Sequence, residues 1–82
     1  MKMMIYKTQN EKFANEQGYD LTVGSEIDIE IAGNVNHLRG AYELLDKNGR
    51  SVNGIPIGYG EDEAGIKYLV VIWQSGMSAY KE

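Results

Sequence analysis

The chain of 82 residues has no cysteine, one proline, one histidine, one tryptophan and one phenylalanine. Without cysteine it has no disulfides and no thiolate metal sites, so its core must suffice alone or be completed by a partner subunit. With His37 as the single histidine, a nucleophilic triad has one possible base. None of the serines at 25, 51, 75 and 78 lies in a nucleophile motif. Beside Asn36 and Arg39, His37 reads as a surface or turn residue. The longest apolar run, Tyr68 to Trp73, is far below a membrane span. The start, Met1 to Lys7, is too short and too polar for a signal segment. These absences predict a single soluble cytoplasmic domain, residues 1–82. Twelve acids against eight bases give a net charge of −4, which weakens any expectation of non-specific nucleic-acid binding.

What is present is dominated by one stretch. Glu26-Ile27-Asp28-Ile29-Glu30-Ile31 alternates acid and isoleucine without a break. Side chains in a strand point alternately to opposite faces. The pattern therefore predicts a strand running to about Ala32, with isoleucines turned inward and carboxylates outward. Other segments follow from the same kind of reading. Lys2 to Lys7 reads as a first strand. Thr8 and Glu11 match a capping box for a helix over Gln9 to Gln17, with Phe13 as its anchor and Gly18 just past its end. Leu21 and Val23 begin an extended segment, broken at Gly24-Ser25. Residues 34–49 fit either helix or strand. Leu44 to Val52, with Asp46 and Gly49 around a tight turn, favours a hairpin.

Val52 to Tyr59 reads as extended, with Pro56 marking an edge or an interruption. Glu61 to Gly65 reads as an acidic loop. Ile66 to Gln74 is apolar on both faces and predicts a central strand covered on both sides. Ser75 to Glu82 reads as a tail from which Met77 and Tyr80 pack back. The sum is a mostly β, α+β domain. It would have a small antiparallel sheet or partly closed barrel of about five strands, of SH3-like or OB-like size, and one short helix.

Several chemical readings fail on the residues themselves. Glu26, Asp28 and Glu30 stand about 7 Å apart along a strand, a spacing compatible with paired-carboxylate glycoside hydrolysis, but an open face supplies neither cleft nor raised pKa. Carboxylates along a flat strand also do not converge on a cation. Gly58 to Gly65 lacks the Lys-Ser/Thr of a phosphate loop, and its acids would repel phosphate. Asp46-Lys47-Asn48-Gly49 lacks the closing glutamate of a calcium loop. No metal or cofactor is expected.

The carboxylate ladder is also near twice the 3.4 Å phosphate rise of a DNA strand, as a mimic of alternate phosphates would need. Tyr68-Leu69-Val70-Val71-Ile72-Trp73-Gln74-Ser75-Gly76 resembles the closing strand of phage uracil-DNA-glycosylase inhibitors. That run is a small part of the chain and holds no specific motif, so it assigns neither fold nor site.

Six tyrosines and a tryptophan exceed what so small a core must bury, and these residue types are enriched at interfaces. The leading expectation is a non-catalytic protein-binding module whose face is Glu26, Asp28, Glu30, Tyr59, Glu61, Asp62 and Glu63. The suggested setting is a small prokaryotic or phage accessory protein that inhibits a host nuclease or defence complex. One alternative is a nucleic-acid-binding barrel using Arg39, Tyr42 and Arg50, with the two arginines meeting across the hairpin. Another is a homo-oligomeric subunit joined through Ile66 to Gln74.

Overall fold

Five consecutive residues, Tyr68 to Ile72, are buried on both faces of one strand, and the molecule is built around them. The computed structural model describes residues 1–73 and 76–82. It holds eight strands and one helix: β1 (Lys2–Thr8), α1 (Glu11–Glu16), β2 (Glu26–Asp28), β3 (Ile31–Leu38), β4 (Ala41–Asp46), β5 (Ser51–Val52), β6 (Ile55–Glu61), β7 (Lys67–Trp73) and β8 (Gly76–Lys81). All strands join one open sheet in the order β2-β1-β6-β7-β8-β3-β4-β5. Every pairing is antiparallel except β3 with β8. The domain is therefore mostly β with a short helix, as expected, but its sheet is open and has eight strands rather than about five.

The connections bend this sheet. Two residues, Ile29 and Glu30, link β2 to β3, and two more, Asn53 and Gly54, link β5 to β6. Each link joins strands five steps apart in the sheet order. In a flat sheet that is about 24 Å, whereas the three Cα–Cα steps of such a link reach about 11 Å at most. Both ends of the sheet must therefore coil back. The molecule's smallest dimension is 24 Å, that of a folded-over sheet rather than one layer.

Coiling creates two cores, one on each face of β7. Tyr68, Val70 and Ile72 meet Met3, Ile5, Ile29, Ile57 and Ala79, with α1 contributing Ala14 and the partly buried Phe13. Leu69 and Val71 meet Val35, Leu44 and Tyr80, with Val52 and Tyr59 at the margin. The expected double cover of this strand is present, supplied by the chain's own strands and helix. Enclosed between β6 and β8, residues 68–72 offer no surface to a second copy. Gln74, the last residue of the expected strand, lies outside the described residues.

Other expectations change for physical reasons. The acid–isoleucine alternation is two strands, because the chain leaves β2 at Ile29 to cross to β3. Ile27, Ile29 and Ile31 nonetheless all pack against the first core. The helix starts later than Gln9, because Thr8 still pairs with Gly58 and the Gln9 N–H donates to the Ile57 carbonyl. Asn10 is the N-cap and makes no side-chain cap. The Thr8 hydroxyl instead donates to the Glu11 carboxylate. At the other end Gly18 and Tyr19 donate to the carbonyls of Asn15 and Ala14, the expected glycine-terminated helix.

Residues 34–46 are strand rather than helix, β3 and β4 being joined by a tight turn at Arg39-Gly40, and 47–49 form the expected second turn. Pro56 lies on an internal strand. It interrupts rather than marks an edge, since the pairing register shifts between Pro56 and Gly58. The expected tail is β8, a central strand with Ser78, Ala79 and Tyr80 buried; Ser75, where that tail was to begin, lies outside the described residues.

Gly54, in the link between β5 and β6, lies tightly against β7. A Cβ there would lie 2.2 Å from Val71 Cγ1. Gly54→Ala is expected to cost about 1–3 kcal/mol in urea unfolding, as overpacking does. Combined with Val71→Ala, the loss should be smaller than the sum of the two single losses. Strict additivity would show that the approach of Gly54 to β7 is not what limits this position.

Candidate protein-binding face

Strand β1 positions the face by alternation. Met3 and Ile5 are buried, while Lys2, Met4 and Tyr6 are exposed on the other side. Directly paired residues project to the same face. Met4 pairs with Glu26 on β2 and with Glu61 on β6, so an exposed methionine sits between two carboxylate residues. Those two residues are about 10 Å apart, two strand spacings. In the neighbouring row Lys2 pairs with Asp28, and its Nζ lies 3.8 Å from Glu26 Oε1. The Asp28 carboxylate accepts from the amine of Met1 at 2.9 Å. That hydrogen bond, the amine's charge and Lys2 hold its pKa below the usual aspartate value, against a smaller opposing effect of burial.

A β-bulge extends the face. Ile5 pairs with Gly60 and Lys7 with Tyr59, leaving Tyr6 as an extra residue between them. Such an insertion lets two consecutive side chains share one face, here Tyr6 and Lys7. The rings of Tyr6 and Tyr59 are 6.1 Å apart and tilted by 33°. Lys7 Nζ lies 5.5 Å from the Tyr59 ring centre, and Lys67 Nζ lies 5.5 Å from that of Tyr6. The Tyr6 hydroxyl is pushed above its usual pKa, first by burial and then by the charges of Glu82 and Glu61. Burial, with a smaller contribution from Tyr59, raises that of Tyr42.

The expected site residues separate into four groups. Glu26, Asp28, Tyr59 and Glu61 share the face. Glu63 adjoins it, beside Met1 and Lys2 at the end of β1. Glu30 lies outside these rows, in the link to β3, where its carbonyl accepts the Ala79 N–H.

Asp62 has a structural task. Its carboxylate accepts the N–H groups of Ala64 and Ile66 and the Tyr68 hydroxyl, each at 2.9 Å. Asp46 does the same for Asn48 and Arg50. In both turns the residue three positions on, Gly49 or Gly65, has φ near +80°, the left-handed conformation that glycine takes without strain. The repeated Asp-x-x-Gly signature is visible in the sequence.

Of the alternative set, Tyr42 pairs with His37 near the β3–β4 turn. Arg39 is in that turn and Arg50 follows the opposite end of β4. The length of β4 holds the arginines about 17 Å apart, so they do not meet across the hairpin. Met4, Tyr6, Lys7 and Lys67 were not expected at the site. The outward alternation of Met4 and Tyr6 on β1 was readable, but the bulge at Lys7 and the strands that flank β1 were not.

Among the described residues, no cluster of three histidines or acids is placed to hold a metal ion. Among those residues, too, no helix is long and apolar enough to cross a membrane. No family model matches the chain, and no curated protein or solved structure matches it significantly.

The hydrogen bonds from Ile66, Tyr68 and Ala64 lower the Asp62 pKa. A carboxyl with a depressed folded-state pKa stabilises the fold fully above the unfolded aspartate pKa of about 3.9 and loses that effect as pH falls through the folded value. Asp62→Ala should therefore lower the thermal midpoint at pH 7, and the gap from wild type should close below about pH 3.9. Parallel midpoint-against-pH curves would show that the charge does not hold this turn.

Proposed function

We propose that the chain is a non-catalytic protein-binding module that presents the outer face of β2, β1 and β6 to a partner with a basic surface. The observation that carries this reading is the row Glu26–Met4–Glu61: an apolar side chain 55% exposed, with carboxylates on both sides and tyrosines beside it. An apolar and aromatic centre with a charged rim is the composition of an interaction hot spot. Carboxylates around it favour a basic partner by steering encounter and rejecting acidic competitors.

A protein surface that normally holds nucleic acid has that character. A host nuclease or defence complex, inhibited by occupation of that surface, is the partner class we propose, with the chain as a small prokaryotic or phage accessory protein. Nucleic-acid binding by the chain itself is less well supported, because Arg39 and Arg50 lie at opposite ends of β4.

The test is affinity capture from native lysate, with and without nuclease treatment, read by mass spectrometry. Wild type should retain a protein through nuclease treatment. Glu26→Lys combined with Glu61→Lys should weaken that retention at least about tenfold, as reversal of charges in a steering face does. Glu30→Lys, outside the face, should leave it unchanged, and all variants should keep the wild-type circular dichroism spectrum. Equal loss with Glu30→Lys, or none with the double variant, would remove this face from the reading. Capture of nucleic acid alone would replace it with the nucleic-acid reading.

A further inference from the structure

Resting on the protein-binding reading, we infer that Tyr6, Glu61 and Glu82 form a receptor for an arginine side chain of the partner, occupied in the free protein by Lys67. Lys67 pairs with Glu61 on one side, and on the other its carbonyl accepts the Glu82 N–H at 3.1 Å. Its ammonium lies over the Tyr6 ring, 5.5 Å from the centre. The Tyr6 hydroxyl feels both carboxylates. An aromatic face on strands that also carry Glu61 and Glu82 next to Lys67 is a cation site, and a cation already stands over the ring.

That cation is the weaker fit. An ammonium is a compact, strongly hydrated charge that engages the ring as a point. A guanidinium is planar and less hydrated, so it can stack on the ring while its edge forks to a carboxylate. Lys67 is exposed on a flexible stem, and its ammonium can swing to solvent when an arginine arrives. Tyr6 is 38% exposed, with the Tyr59 ring alongside, so the incoming side chain meets an accessible aromatic surface. The receptor thus favours arginine over lysine, a distinction that an acidic face alone does not make.

The probes are hexa-arginine and hexa-lysine peptides, titrated into the intact chain at constant ionic strength and followed by the tyrosine ring and backbone amide NMR signals. Hexa-arginine should bind about fivefold more tightly than hexa-lysine, as one added cation–π contact implies, and should shift the Tyr6 ring signals. Tyr6→Leu should abolish this preference while both peptides still bind; Tyr6→Phe should keep it. Lys67→Ala should tighten hexa-arginine more than hexa-lysine, because the ring is vacated. Equal affinities in wild type, unchanged by Tyr6→Leu, would overturn the arginine receptor and leave the acidic face standing. No shift at Met4, Tyr6 or Glu61 with either peptide would overturn both.

Discussion

Two short connections constrain everything else in this molecule. A pair of residues between β2 and β3, and another between β5 and β6, each tie together strands that the hydrogen-bonded order places far apart. The sheet answers by coiling back at both ends. An open sheet of this width, left flat, would expose two apolar faces with one short helix to cover them. Coiled, it buries Tyr68, Val70 and Ile72 on one side and Leu69 and Val71 on the other. The remaining edges are short: β2 has three residues and β5 has two. Short edge strands leave little backbone for unwanted pairing, so closure by hydrogen bonds is not required.

Alternation and turn chemistry made much of this legible. Both faces of Tyr68–Ile72 read as apolar and both are covered. Asp46 with Gly49 read as a turn and is one, and Gly18 ends the helix. What failed was the assignment of neighbours. Period-two patterning reports which way a side chain points, not which strand lies beside it. Ile31 points inward as the pattern requires, yet it belongs to a different strand from Ile27. The C-terminal stretch is glycine- and serine-containing and weakly patterned, so Tyr80 looked like a residue folding back from a tail. Its place comes from partners on β3 and β7, remote in sequence.

The candidate face shows the same division. Glu26, Asp28, Tyr59 and Glu61 were readable as outward-facing, and the fold brings them together. Asp62 was read only as acidic, although its spacing to Gly65 repeats that of Asp46 to Gly49; the added bond from the Tyr68 hydroxyl was not readable. Lys7 was hidden by the bulge, which places it on the same face as its neighbour Tyr6 where simple alternation would separate them. The result is a surface in which aromatic rings, lysines and carboxylates already satisfy one another in part. Such a surface costs less to leave in water than a bare apolar patch of the same area, and it retains charge with which to choose among partners.

The parallel pairing of β3 with β8 bears on how the molecule forms. Strand β8 follows all the others along the chain, yet it lies near the middle of the sheet, between β7 and β3. Before it arrives, β7 lacks a neighbour on one side, and the β3–β4–β5 meander is tied to the other strands by its two short links but not by sheet hydrogen bonds. Its pairing with β3, like that of β1 with β6, closes a long loop of chain. Contacts so distant in sequence make folding slow relative to domains of local contacts. During synthesis, the strands already outside the ribosome can pair only as two hydrogen-bonded pieces, and the strand that unites them into one sheet comes last.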